Sequence, residues 1–139
     1  MNNFETPKQS SAEEPREIKK LNFYKDTARK TLSGELTYGD TVYEDLRKSL
    51  TEAEEAGIDV SALKVETEEI IAQIPKAEIN NVLKKTEEFV ESEDVASAKS
   101  WHADLEKRIS YWESKEVFEN EEILAFQKRC NEIGSKLYS

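Results

Sequence analysis

The sequence predicts an all-α protein, an antiparallel helical bundle of five or six amphipathic helices. From about residue 16 almost to the end, apolar residues recur at steps of three and four, the period of an α-helix. No alternating strand pattern persists, and no Asn-Gly or Asp-Gly hairpin turn occurs. Only four glycines and three prolines interrupt the 139 residues. We therefore expect a single domain over residues 16–139, preceded by a disordered polar leader at 1–15.

Proline and glycine bound the first two predicted helices. Pro15 suits the first turn of a helix. One side of that helix carries Ile18, Leu21, Tyr24, Ala28 and Leu32. Gly34 and Gly39 mark the next break, after which residues 41–44 (Thr-Val-Tyr-Glu) have the form of a capping box. The second helix presents Tyr43, Leu46, Leu50 and Ala53 and is predicted to stop at Gly57.

The third predicted helix begins after a well-marked loop. Gly57 can take a left-handed C-cap and Asp59 can cap the following helix. That helix carries Leu63, Thr67, Ile70 and Ile74. Pro75 is predicted to end or kink it, because proline lacks a backbone donor and clashes with the preceding turn. The next apolar set begins five residues after Ile74, and this change of phase also favours a break; it comprises Ile79, Leu83, Thr86 and Val90.

The clearest helical pattern lies in the last third of the chain. Ser92, followed by Glu93 and Asp94, is typical of a helix start. In the helix that follows, the apolar stripe occupies an arc of about 120° on the helical wheel. Its members are Val95, Ala98, Trp101, His102, Leu105, Ile109 and Trp112. Asn120 is predicted to open the last helix, which presents Ile123, Phe126, Cys130, Ile133 and Leu137.

The charge of the chain excludes several classes of partner. Thirty acidic and 20 basic side chains give a formal net charge of −10, and most of the surplus lies in residues 41–100. A negative field repels phosphate backbones and anionic lipid headgroups, so we expect no direct nucleic-acid binding and no membrane binding. Residues 1–5 lack the features of a secretory signal. We expect a soluble protein of the cytoplasm or nucleus.

His102 and Cys130 are the residues on which a metal or catalytic site would most readily be built. Glu106 lies one turn from His102, but a metal centre needs three or four ligands, and the chain has no second histidine. Lys99 stands where a di-iron Glu-x-x-His motif would place its carboxylate. Cys130 lies in the middle of an apolar stripe, where a thiol behaves as a small hydrophobe. We interpret both as core residues and predict no metal and no cofactor.

The sequence carries no recognisable catalytic motif. It has no glycine-rich phosphate loop, no spaced aspartate calcium loop and no Gly-x-Ser-x-Gly. We therefore predict no catalytic residues and a non-enzymatic protein. An enzyme or metal protein that uses some of the 30 carboxylates is left as an alternative.

Aromatic residues concentrate on the helix after Asp94. Tyrosine, tryptophan and arginine are enriched at the energetic centres of protein interfaces. On the helical wheel Tyr111 points away from the core, with Arg108 and part of Trp101 at the edge of the buried stripe. We predict Trp101, Arg108 and Tyr111 as partner-binding residues. The structural alternative is that the tryptophans simply close the bundle.

Two segments resemble a known family. Residues 74–109 begin Ile-Pro-Lys-Ala-Glu-Ile-Asn-Asn-Val-Leu-Lys-Lys and end Asp-Leu-Glu-Lys-Arg-Ile, and the tail contains Cys-Asn-Glu-Ile at 130–133 and Lys-Leu-Tyr at 136–138. Both are similar to helices of the C-terminal lid of the Hsp70 chaperones. The pieces occur in a different order here, without a nucleotide-binding or substrate domain. The resemblance implies a chaperone-associated helical domain as one alternative.

These observations favour a helical protein–protein interaction module of the adaptor or scaffold type. Its partner would be another protein, and no motif identifies that partner or the oligomeric state. The first alternative is an acidic protein whose surface binds a basic partner or mimics nucleic acid. The salt dependence of binding distinguishes the interaction module from the acidic protein, because a charge-driven complex weakens steeply as ionic strength rises.

Overall fold

The computed structural model describes residues 14–139, and its secondary structure is helical throughout. In chain order the five helices are α1 (Arg16–Leu32), α2 (Asp40–Glu55), α3 (Ser61–Glu91), α4 (Val95–Ser114) and α5 (Asn120–Leu137). No strand occurs in the described range, which confirms the all-α bundle. Most of the predicted leader, residues 1–13, lies outside that range. None of the described helices combines the length and apolar character needed to cross a membrane.

The central helix of the bundle is α3, a single helix of 31 residues, so the predicted break at Pro75 is wrong. Pro75 lies inside the helix and is fully buried. Because α3 packs against α1, α2 and α4, its middle is covered on a wide face that includes Ile74, Glu78 and Ile79. The five-residue step between the two isoleucines reflects this wide buried face and does not mark a helix end.

The predicted apolar stripes form the core. Buried members of these stripes are Leu21, Ala28, Tyr43, Leu46, Leu50, Ala53, Ile70, Ile74, Ile79, Ala98, Leu105, Ile109, Trp112, Ile123, Cys130 and Ile133. The α4 stripe is narrower than the wheel predicted. Val95 is 51% exposed and Trp101 is half-buried, so both ends of the predicted arc lie at the surface.

Several helix boundaries follow local signals. Gly57 has a φ of 79°, as expected of a left-handed residue after a helix. The carboxylate of Asp94 caps α4 by accepting a hydrogen bond from the backbone N–H of Ser97. The last helix, α5, begins at Asn120 as predicted, and its capping box is made by Glu119 with Glu122.

The start of α2 does not follow its local signal. The helix begins at Asp40 after the N-cap Gly39, and no side-chain cap forms there. The capping box predicted at residues 41–44 is therefore wrong. The first backbone N–H groups of α2 instead donate hydrogen bonds to a side chain of α3.

Candidate protein-binding site

The carboxylate of Glu78, in the middle of α3, joins three helices. It is fully buried. Its Oε2 accepts hydrogen bonds from the backbone N–H groups of Gly39 at 2.6 Å and Asp40 at 3.0 Å. The positive end of a helix dipole favours a negative charge, and the first N–H groups of a helix need acceptors. Glu78 therefore acts as the N-terminal cap of α2, which explains why no local capping box forms.

The second oxygen of Glu78 faces α4. Its Oε1 accepts a hydrogen bond from Nε1 of Trp112 at 2.7 Å and lies 3.5 Å from Nη1 of Arg108. The same Nη1 lies 3.3 Å from Oδ2 of Asp40. A buried carboxylate is costly unless it is paired and hydrogen-bonded. Here both oxygens have partners, so the charge holds α2 and α4 against α3.

A close backbone approach places Gly39 beside Glu78. A Cβ atom at Gly39 would lie 2.6 Å from Cγ2 of Ile74 and 2.9 Å from Cγ2 of Thr31. A side chain therefore does not fit, and glycine is required for the segment to come this close to α1 and α3. The hydroxyl of Thr31 also donates to the carbonyl of Tyr38 at 3.0 Å, which fixes the residue before Gly39.

A side chain of α3 holds the rest of the connection between α1 and α2. Nδ2 of Asn81 lies 2.9 Å from the carbonyl oxygen of Thr31, 3.1 Å from that of Leu36 and 3.2 Å from that of Thr37. The connection is therefore anchored at several points. As a result Tyr38 is held at a defined place on the surface, beside α4.

Tyr38 and one side of α4 form a surface that we call the α4 face: Tyr38, Trp101, Asp104, Arg108 and Tyr111. Its four α4 members recur at steps of three and four, so they share one side of the helix. The rings of Tyr38 and Trp101 are stacked, with centroids 6.4 Å apart and planes 12° from parallel. The guanidinium of Arg108 lies 5.1 Å from the ring centroid of Tyr111 and 6.0 Å from that of Tyr38.

The orientation of the Tyr38 ring is secured by a hydrogen bond. Its hydroxyl donates to Oδ2 of Asp104 at 2.5 Å. Burial of the hydroxyl, together with the hydrogen bond and the negative charge of Asp104, raises the pKa of Tyr38 to about 12. The phenol therefore stays neutral at physiological pH, while 46% of the residue is exposed.

All three residues predicted to bind a partner lie on the α4 face and are half-buried. Tyr111 does not point away from the core, because its ring packs edge-on against Trp112 with centroids 4.8 Å apart. Arg108 is 19% exposed and pairs with the buried Glu78. It therefore contributes to the interior as well as to the surface. Tyr38 and Glu78 were not predicted as site residues, because both come from other parts of the chain and no local pattern marks them.

A shallow pocket of about 230 Å³ adjoins the α4 face. Its lining is mostly apolar and consists of Phe23, Tyr24, Thr27, Tyr38, Asp40, Thr41, Val42 and Asp45. The residue Phe23 is 65% exposed. Tyr38 belongs to both the pocket and the α4 face, so the two surfaces are continuous. A cavity of this size can take one apolar side chain of a partner.

Carboxylates dominate the border of this combined surface. Asp40 and Asp45 line the pocket, and Asp104 lies on the α4 face. Arg108 on this surface pairs with Asp40 and Glu78, and Lys115, beside the ring of Tyr111, lies 3.1 Å from Glu44. The surface therefore combines apolar area with a negative rim.

On another side of α4, His102, Glu106 and Cys130 form the one group of potential metal ligands found in residues 14–139. Burial and the charge of Glu106 raise the pKa of the Cys130 thiol to about 11. A protonated, buried thiol is a poor nucleophile, so this cysteine is not suited to catalysis.

No protein-family model matches the chain, and no curated protein or solved structure is significantly similar to it.

Proposed function

We propose that this protein is a non-enzymatic helical interaction module that binds another protein through the α4 face. The observation that carries the proposal is the stacked pair of Tyr38 and Trp101 beside Arg108. Aromatic and arginine side chains of this kind contribute most of the binding energy at protein interfaces. The hydrogen bond of Tyr38 and the ion pairs of Arg108 hold them in place beforehand. Little side-chain entropy is then lost on binding.

The chemistry of the surface favours a particular kind of partner segment. The pocket beside Tyr38 suits one aliphatic or aromatic side chain, and the carboxylates of Asp40, Asp45 and Asp104 favour a lysine or arginine close to it. Such a segment is an amphipathic helix or loop with basic residues at the edge of its apolar side. Because the contact is mainly apolar, its affinity should fall only modestly as salt is raised.

Partner capture with matched variants tests this proposal. Tyr38→Ala and Trp101→Ala should each weaken the binding of a captured protein by about 1–3 kcal/mol, the scale of interface hot spots. Leu124→Ala is the control, because Leu124 is 61% exposed on α5, outside the α4 face. Quantitative mass spectrometry of proteins retained from the native source compares all forms, after circular dichroism has shown equal folding. If both tyrosine and tryptophan variants retain what the wild type retains, the α4 face is not the docking site.

The acidic-surface alternative also has a specific observation in its favour. Glu68, Glu69 and Glu88 on α3 are exposed and form no ion pair with any residue in the described part of the chain. Replacing all three with glutamine should abolish a charge-driven complex and leave α4-face binding nearly unchanged. A partner lost in the triple variant but retained by Trp101→Ala would support the acidic alternative. Recovery of a chaperone as the partner would support the chaperone-associated alternative.

A further inference from the structure

The pocket beside Tyr38 combines aromatic rings with carboxylates. Three of its eight lining residues are aromatic, two are aspartates, and none is a lysine, an arginine or a histidine. The rings come from α1 and from the connection that follows it, and both aspartates come from α2. The faces of aromatic rings and the oxygens of carboxylates both attract cations. The composition of the lining therefore favours a positively charged ligand.

Phe23 contributes a ring to this pocket that the core does not use. It lies outside the predicted apolar stripe of α1, and 65% of the residue is exposed. Its ring stands edge-on to that of Tyr24, with centroids 5.5 Å apart and planes 68° from parallel. The ring of Tyr38 is fixed by its hydrogen bond to Asp104. Rings from two parts of the chain can thus contact both a cation and the alkyl chain that carries it.

The two aspartates of the lining differ in their existing partners. Oδ2 of Asp40 lies 3.3 Å from Nη1 of Arg108. Asp45 is half-buried and forms no ion pair with any residue from 14 to 139. A partly buried carboxylate gains more from a new ion pair than a fully exposed one, because water screens the charges less. Asp45 is therefore the carboxylate available to a cationic ligand.

Arg108 does not make the pocket positive. Its Nη1, which pairs with Asp40, also lies 3.5 Å from Oε1 of the buried Glu78, so two carboxylates compensate one guanidinium. The formal net charge of the chain, −10, acts in the same direction. The potential at Asp45 therefore remains attractive to a second cation.

We propose that this pocket binds an arginine side chain of the partner and that Asp45 selects it. The inference rests on the proposed function, because it names the residue that the partner places beside the α4 face. The methylene groups of arginine suit the apolar lining, and its planar guanidinium can stack on a ring while it donates hydrogen bonds to Asp45. Lysine has a more strongly hydrated charge and no plane to stack. Trimethyl-lysine, which aromatic pockets also bind, has no N–H to donate.

A nuclear magnetic resonance titration of the isotope-labelled full chain tests the pocket with short peptides. The peptides have alanine on both sides and blocked ends, and they differ only in the central residue, which is arginine, lysine, trimethyl-lysine or norleucine. We expect the arginine peptide to bind most tightly and to shift the amide signals of Phe23, Tyr38 and Asp45. The norleucine peptide has no charge and should bind about tenfold more weakly, the loss expected for one charged hydrogen bond.

Two variants locate the arginine in the pocket. Asp45→Asn should weaken binding of the arginine peptide about tenfold and leave that of the norleucine peptide unchanged. Phe23→Ala should weaken the arginine peptide about two- to fivefold, the scale of a cation–π contact at an exposed site. Because Phe23 is exposed, this variant should fold as the wild type does. Glu55→Gln is the control, since Glu55 is exposed at the other end of α2 and its replacement changes the net charge equally.

Equal affinities of the arginine and norleucine peptides would overturn the inference. An equal loss of arginine binding in Asp45→Asn and Glu55→Gln would also overturn it, because the attraction would then come from the net charge alone. Tighter binding of trimethyl-lysine than of arginine would overturn it as well and would assign the pocket to alkylated ammonium groups.

These outcomes are distinct from failure of the proposed function. A partner that is lost in Trp101→Ala, together with a pocket that does not prefer arginine, would refute this inference alone. An arginine-selective pocket in a protein whose partner still binds Tyr38→Ala and Trp101→Ala would refute the proposed docking through the α4 face alone.

Discussion

The indole of Trp112 donates a 2.7 Å hydrogen bond to Oε1 of Glu78, and both side chains are fully buried. The same carboxylate caps the first backbone N–H groups of α2 through its other oxygen. The ring of Trp112 also packs edge-on against Tyr43 of α2, with centroids 5.0 Å apart. One buried charge and one buried indole thus determine how α2, α3 and α4 meet. Glu78 also forms an ion pair with Arg108, a residue of the α4 face, and so connects that surface to the buried interior.

Glu78→Gln should destabilise the protein by about 3–5 kcal/mol, the scale for breaking a buried charge pair. The amide would place a donor against either the N–H groups at the start of α2 or the indole of Trp112, and it would leave Arg108 without one carboxylate partner. Denaturant unfolding at pH 7 measures the change. Glu69→Gln, at an exposed position of the same helix, should stay within about 0.5 kcal/mol of the wild type. Equal stability of the two variants would show that Glu78 does not cap α2.

Arg108→Ala should lower stability by about 1–3 kcal/mol, because it leaves Asp40 and the buried Glu78 with fewer charged hydrogen bonds. Lys107→Ala is the control, since Lys107 is the exposed neighbour and pairs with no carboxylate in the described part of the chain. Thermal unfolding compares the two. An unchanged midpoint in Arg108→Ala would mean that this side chain serves the surface alone, and it would then be a clean probe of partner binding.

The hydroxyl of Tyr38 should ionise at a higher pH than a free tyrosine, because its pKa is raised from 10.0 to about 12 by burial and by Asp104. Since the folded value exceeds the unfolded one, this stabilisation is fully present below pH 10 and is lost as the pH rises towards 12. Ultraviolet difference titration follows the phenolate. Asp104→Asn should move the Tyr38 transition to lower pH, with Tyr38→Phe identifying which transition belongs to it. A titration curve identical in Asp104→Asn and the wild type would refute the contact.

The ion pairs between α1 and α3 should make the free energy of unfolding fall as the pH is lowered. Oε1 of Glu66 lies 2.6 Å from the nearly buried Nζ of Lys25, and Oε2 lies 3.1 Å from Arg29. The hydrogen bond and charge of Lys25 hold the pKa of Glu66 below its usual 4.5. The contribution is therefore present above pH 4.5 and is lost as the pH falls through the folded value.

Glu66→Gln tests this contribution by urea unfolding at two pH values. The variant should be less stable than the wild type at pH 7, and the difference should shrink in acid once Glu66 is protonated. Glu68→Gln, at an exposed position on the same helix, should show no such pH-dependent difference. A gap between Glu66→Gln and the wild type that is the same at both pH values would contradict the lowered pKa.

Local signals were enough to predict the helices and most of the core. Apolar spacing depends on neighbours three and four residues apart, so Leu46 and Leu105 could be assigned to the interior from the sequence alone. Gly57 was predicted correctly as the residue at which α2 stops, whereas the cap of α4 is Asp94 and not Ser92, two residues earlier. The break predicted at Pro75 was wrong, because a helix covered on several sides tolerates a buried proline that an isolated helix would not.

The sequence by itself determined that the chain forms amphipathic helices and which side of each is apolar, because these properties arise within single helical segments. Only the tertiary structure decided which helices meet and at what rotation. Glu78 reaches Gly39 across 39 positions of the chain, and His102 reaches Cys130 across 28. The stacking of Tyr38 on Trp101 likewise joins residues that are far apart in the sequence. Such contacts depend on how the helix faces pack together, and no repeat of three or four residues carries that information.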